Sequence, residues 1–203
     1  MVWFAESGAM AARGIRAALA RAGVDITKLN AVLDFGCGAG RIMRHWVDLR
    51  RPALYGTDQN PELIRWCREN VSFARFAVNE PEGRLEFDSA SFDLVYAFSV
   101  FTHLTVPQHA HWIAELARVV RPGGYLYVTT HGEYYRQYIP PDRQEQFRLG
   151  DLVVCGDDHA GSNLCAAFHP ELYVRLVLGK GLMVVDFAPG EYPQDAYLFQ
   201  KPG

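Results

Sequence analysis

The chain has 203 residues, 49% hydrophobic and 13% aromatic, enough apolar material for the core of one globular unit. Twenty Lys and Arg against 23 Asp and Glu leave a net charge of -3 with no basic stripe, which argues against a nucleic-acid partner. No apolar run reaches the length of a membrane span, MVWFAESGAM lacks the features of an export signal, and Cys37, Cys67, Cys155 and Cys165 follow no framework spacing. The expectation is a cytoplasmic protein with free thiols and no membrane association.

In chain order, Ser7 is the expected cap of a helix through Ala22, with Ile15, Leu19 and Ala22 as its apolar stripe and Gly23 as its stop, so residues 1–30 form a helical edge. From Ala31, short apolar runs alternate with amphipathic stretches: AVLDFG, RIMRHWVDL, ALYGTD, PELIRWCREN and FARFAV. Then come FDLVYAFSV, a helix from about Pro107 to Val120, and GYLYVTTH. Strand and helix signals in alternation predict a parallel sheet with crossover helices, an α/β fold. Residues 132–168 break the rhythm, with only LGDLVVCG strand-like, and read as an insertion over the carboxyl edge of the sheet. HPELYVRLVLGKG reads as a helix, and MVVDFA and DAYLFQ as an antiparallel pair around PGEYPQ, giving a mostly parallel sheet with one reversed strand. No repeat or linker divides the chain, so residues 1–203 are expected to form a single domain.

The informative stretch is VLDFGCGAGR, in which a strand ends at Phe35 and Gly36, Gly38 and Gly40 follow before a helix expected to open at about Arg41. In open parallel sheets, ligands sit at the carboxyl ends of the strands, beside the loop after the first strand. The next strand ends in Asp58, where a carboxylate can accept hydrogen bonds from both hydroxyls of a ribose. A dinucleotide fingerprint requires glycine at position 41, which is Arg41, so a pyrophosphate ligand is disfavoured. Asp34 could face a cationic group such as an amino-acid ammonium, which favours a sulfonium amino-acid nucleoside.

VLDFGCGAGR resembles the first motif of class I S-adenosylmethionine-dependent methyltransferases, YGTDQNPELI their second, FDLVYAFSVFTHL the fourth-strand motif, and LARVVRPGGYLYVTT the lead into the fifth strand. The tail QDAYLFQKP is similar to their reversed seventh strand. This resemblance implies a Rossmann-like three-layer sandwich with a seven-stranded, mostly parallel sheet, S-adenosylmethionine as cofactor, and a small-molecule methyl acceptor. Gly36, Gly38 and Gly40 would line the methionine moiety, Asp58 would bind the ribose, and Gln59 would lie beside the adenine. Asn79 or Glu80 would contact the adenine, and Ser99 would lie beside the sulfonium.

Methyl transfer from a sulfonium needs alignment, a dry pocket and in some cases a base. His103 and His131 are the candidate bases, each with a packing or loop role as the alternative. Tyr134, Tyr135 and Tyr138 form either an acceptor wall or part of the packing, and His169 either faces the pocket or caps the last helix. Cys155, His159, Cys165 and His169 superficially suit zinc, but the close Cys and His pairs of such sites are missing, and no metal is expected. The fourth strand ends in FSVF rather than in an Asn-Pro-Pro-Tyr motif, which favours an oxygen or nitrogen atom of a small metabolite over a base of DNA, and FSVFTHL resembles the same stretch of small methyltransferases found with sugar and secondary-metabolite pathways, which implies an acceptor of that class. A catalytically silent nucleoside-binding module and a nicotinamide-dependent oxidoreductase are the competing readings. Nothing in the sequence specifies an oligomeric state.

Overall fold

The computed structural model describes residues 2–162, 164–190 and 193–203, with the side chains of residues 2–5 excepted. Helix α1 (Val2–Arg21) begins before Ser7, which lies inside it instead of capping it. Ala11, Ala12, Ile15, Ala18 and Leu19 recur at three- and four-residue spacing and are all buried. Gly23, at φ +74°, ends the helix, with its amide on Ala20 O and that of Val24 on Leu19 O.

Strand β1 (Ala31–Phe35) leads into the glycine loop. The amphipathic run that follows forms only a 3-10 turn, Met43–Trp46, in place of the helix expected from Arg41. Its apolar side chains are satisfied all the same, since Ile42, Met43, Trp46 and Leu49 are buried. Helix α1 crosses closely above, where a Cβ on Gly8 would lie 2.2 Å from Arg41 O, so α1 occupies space a regular crossover helix would need. Strand β2 (Ala53–Asp58) precedes α2 (Pro61–Asn70), which is capped by Asn60 and has Pro61 in its first turn. Then follow β3 (Arg75–Val78), β4 (Phe92–Ala97), α3 (Val106–Val119) and β5 (Val120–Thr130).

After β5 the chain leaves the sheet. Helix α4 (Gln144–Arg148) and a hairpin of β6 (Val153–Cys155) and β7 (Ala166–Phe168) follow, and β7 returns to the fifth strand through the bridge between His131 and Phe168. A strand over Val153–Cys155 agrees with LGDLVVCG, whereas β7 carried no recognisable signal. Helix α5 (Glu171–Tyr173) continues as a π turn, Val174–Leu178, before β8 (Met183–Ala188) and β9 (Asp195–Gln200). Within the turn expected between these strands, Glu191 and Tyr192 lie outside the described residues.

The main sheet has seven strands in the order β3-β2-β1-β4-β5-β9-β8. β9 runs antiparallel to both its neighbours, and the other pairings are parallel. One core layer packs α1, the 43–46 turn and α2 against the sheet, and a second packs α3 and the α5 region against the opposite face. This is the expected three-layer α/β architecture with one reversed strand. Strand order reverses between β1 and β4, which opens a crevice at their carboxyl ends. Among the described residues no helix is long and apolar enough to cross a membrane.

Candidate active site

The glycine loop is tied to β2 by backbone bonds. The amides of Gly36 and Cys37 both donate to Thr57 O, at 2.8 and 2.9 Å. Gly36 has φ +73°, and a Cβ there would come within 2.4 Å of Val100 Cγ2, so only glycine lets the loop turn against the end of β4. Gly38, at φ +53°, would direct a Cβ into open space, leaving its backbone approachable. Asp58 closes the arrangement: Oδ2 accepts the Gly38 amide at 2.8 Å and Oδ1 the Asn60 amide at 2.9 Å. Each carboxylate oxygen keeps further acceptor capacity.

A cavity of about 290 Å³ lies over these strand ends, with Gly36, Asp58, Gln59, Asn79, Ser99 and His103 on its wall. The Asn79 amide donates to Asp58 O at 3.1 Å, and its Nδ2 to Glu80 O at 3.2 Å. Asn79 Oδ1 is buried without a hydrogen-bond partner among the described residues. Of the two adenine candidates, Asn79 is the one on the cavity wall, while Glu80 is exposed beside an adjoining pocket. Ser99 adopts φ +61°, and its amide donates to Thr129 Oγ1 at 2.7 Å.

Besides Glu80, the sequence candidates Asp34, Gly38, Gly40 and His131 are off the cavity wall. Gly40 packs toward α2, where a Cβ would touch Cys67 Sγ at 3.5 Å. Asp34 is 2% exposed beneath the loop and off the cavity wall. Burial pushes its carboxyl up to about 7, against the pull of the Tyr96 hydroxyl that hydrogen-bonds it and the nearby Arg41 charge. Tyr96 in turn accepts the Trp46 indole N–H at 2.9 Å.

Residues 132–168 contribute Gly161 to the cavity wall. Gly161 sits between two cavity residues, with its amide on His103 O at 2.7 Å and its carbonyl accepting Gln59 Nε2 at 3.0 Å. His103 Nδ1 lies 2.8 Å from Cys165 O. A carbonyl can only accept, so Nδ1 carries a hydrogen, and the tautomer this selects has its lone pair on Nε2. His131 is 9% exposed, and burial, with His103 adding to it, pushes its pKa down to about 4. Its ring stacks on Tyr135 at 3.9 Å and lies 6.2 Å from that of His103. Tyr134 and Tyr138 are exposed.

His169 neither faces the pocket nor caps a helix. It is fully buried, with its Nε2 2.8 Å from Nε2 of the equally buried His109. Among the described residues no group of three or more His, Cys, Asp or Glu is placed to hold a metal ion. Sequence reasoning missed Gly161, Thr129, Gln194 and His109, whose partners are brought to them by tertiary folding and not by any spacing.

Residues 33–128 match the profile of the methyltransferase-domain family. The chain is 35% identical over 101 residues to a fatty-acid O-methyltransferase of Mycolicibacterium smegmatis, a match covering 48% of this chain and 36% of that protein. To a trans-aconitate 2-methyltransferase of Azoarcus it is 30% identical over 135 residues, covering 64% of this chain and 49% of that one. It thus spans half or less of the length of these curated relatives. A crystal structure of an S-adenosylmethionine-dependent methyltransferase from Methanosarcina mazei shares the fold with a TM-score of 0.64 at 21% identity, covering 85% of this chain and 92% of that one. Motif order, strand order and the family match agree in what the chain is similar to: residues 33–128 form a methyltransferase domain, and the whole resembles the class I, S-adenosylmethionine-dependent methyltransferases.

Proposed function

We propose that the protein transfers a methyl group from S-adenosylmethionine to an oxygen or nitrogen atom of a small molecule, with a sugar or secondary metabolite as the acceptor class. The observation that carries this reading is a pair of unspent acceptors on one cavity wall. Asp58 holds the glycine loop while keeping lone pairs for two ribose hydroxyls, and the buried Asn79 Oδ1 has no partner among the described residues and suits the exocyclic amine of adenine. Gly36 and Gly38 would lie along the methionine portion, with Gln59 at the adenine edge and Ser99 near the sulfur. Gly40 and Asp34 support that loop from below.

Bound S-adenosylmethionine supplies an electrophilic methyl group on a sulfonium that leaves readily. The chain's own part is alignment, exclusion of water and acceptance of a proton from the acceptor. His103 is the better base: it lines the cavity, and Cys165 O fixes the tautomer that presents Nε2. His131, neutral and stacked on Tyr135, lies behind the wall, with its ring 6.2 Å from that of His103. One relative's name places its transfer on oxygen, in keeping with a hydroxyl or carboxyl acceptor.

The test is ligand-induced stabilisation. S-adenosylhomocysteine at a hundred times its dissociation constant should add about 2.7 kcal/mol. Stabilisation by NAD or NADP with none by S-adenosylhomocysteine would refute the reading.

A further inference from the structure

A closed ring of three hydrogen bonds joins the carboxyl ends of β4 and β5 to the start of β9. The Ser99 amide donates to Thr129 Oγ1 at 2.7 Å, and the Thr129 hydroxyl donates to Gln194 Oε1 at 2.6 Å. Gln194 Nε2 then donates back to Ser99 Oγ at 2.7 Å. Thr129 is fully buried and Gln194 is 7% exposed, so water does not compete effectively for these bonds. Ser99, with φ +61°, occupies a left-handed conformation that side-chain-bearing residues rarely adopt. Such strain persists where the surroundings over-determine it, and it gathers at functional sites. Here the surroundings are Thr129 and Gln194, and the strained residue is the one on the cavity wall.

We propose that Gln194 is a positioning residue for methyl transfer, fixing the Ser99 hydroxyl so that it presents a set polarity to the cavity. This rests on the reading that the cavity takes S-adenosylmethionine. A hydroxyl has one hydrogen and two lone pairs. Gln194 occupies one lone pair, and Thr102 Oγ1, at 3.5 Å, is too distant for a strong bond. What remains toward the ligand is one lone pair and one hydrogen on an oxygen that cannot swing away. A fixed lone pair favours a positively polarised group, and a neutral thioether gives it nothing to bind. Gln194 therefore acts through Ser99 and bears on the charged, methyl-bearing end of the donor, without reaching the adenosine.

The test compares two ligands of the full chain by calorimetry: S-adenosylhomocysteine, and the donor analogue that carries an amine where the methylated sulfur stands. If the unaltered protein binds neither, the cofactor reading itself fails. If it binds both, Ser99→Ala and Gln194→Met should each weaken the amine analogue about tenfold, the loss expected for one hydrogen bond to a charged donor, and leave S-adenosylhomocysteine within about twofold. Thr129→Ser, which keeps the hydroxyl, should behave like the parent. Equal losses for the two ligands in Gln194→Met would show a merely structural role, and an unchanged Gln194→Met beside a weakened Ser99→Ala would show that Gln194 positions nothing. Either overturns the proposal. Thr129→Val, which keeps the shape of residue 129 and removes the hydroxyl that anchors Gln194, carries the same test should the Met variant not fold.

Discussion

The two walls of the cavity are held in different ways. On the glycine-loop side, Gly36, Cys37 and Gly38 are bonded to Thr57 and Asp58 on the neighbouring strand, 20 residues away at Asp58, and the parallel sheet fixes both partners. On the other side, Gln59 reaches Gly161 across 102 residues and Gln194 reaches Ser99 across 95. The first wall is set once β1 and β2 pair. The second exists only when Gly161, after β5, and Gln194, just before β9, have come to the strand ends.

The largest test of the first wall lies beneath it. Trp46 is fully buried, and its indole N–H is spent on Tyr96, the hydroxyl that also bonds Asp34 under the loop. Trp46→Ala opens a cavity and removes the Tyr96 hydroxyl's donor, and should cost about 4 kcal/mol in denaturant unfolding. Trp46→Phe keeps much of the volume and should cost clearly less. Equal losses in the two variants would mean that the hydrogen-bonded chain dominates over packing.

The packing behind the second wall should be the more sensitive to acid. Burial pushes His109 and His131 down to about 4, and it holds His169 well below the usual histidine range. The unfolded chain protonates these rings near pH 6.5 while the folded one resists, so the unfolded state binds more protons throughout that interval. Stability contributed by the neutral rings is complete above pH 6.5 and is lost as pH falls toward 4. For one such ring the loss is of order 3 kcal/mol at the acid end. Unfolding measured between pH 8 and 4 should show this slope, and His109→Gln should flatten it. A slope unchanged in that variant would remove the buried pair as its source.

Asp58→Ala tests the site directly. It deletes the acceptor for the Gly38 and Asn60 amides and the proposed ribose contact, and should weaken S-adenosylhomocysteine by about 1 to 3 kcal/mol in a calorimetric titration. Asn79→Ala should cost less, since a single bond is lost. Unchanged affinity in Asp58→Ala would take that carboxylate out of the ligand's reach.

The contrast between the walls also explains what could be read in the sequence. The succession of strands and the Gly36, Asp58 and Asn79 constellation are legible because each residue sits at the end of its own apolar run, and a parallel sheet brings consecutive strand ends to one edge. Local periodicity misleads at residues 41–49, where Ile42, Met43, Trp46 and Leu49 have helical spacing but the close passage of α1 at Gly8 leaves only a 3-10 turn. The Ser99 ring, the His109–His169 pair and the Gly161 bridge have no sequence signature, because their partners lie from 30 residues apart, at Ser99 and Thr129, to 102 apart, at Gln59 and Gly161, and meet only on folding. Gly161 reads in the sequence as one more loop glycine.

That glycine offers the smallest and most selective perturbation. It sits at φ +77°, and a Cβ there would lie 2.4 Å from Gln59 Nε2, so Gly161→Ala both strains the backbone and pushes on the amide that the bridge holds. The Gln59–Gly161 contact is exposed and Gly161 belongs to neither core layer, so the global cost should stay near 1 kcal/mol. The local consequence is larger in kind: Gly161 loosens from His103 O and Gln59, and the Cys165 carbonyl that orients His103 loosens with it. Stopped-flow measurement should then find S-adenosylhomocysteine leaving severalfold faster, with the glycine-loop wall intact and denaturant stability almost unchanged. Dissociation at the parent rate would mean that the Gly161 bridge does not gate the cavity, and that the sheet-borne wall alone governs how long the ligand stays.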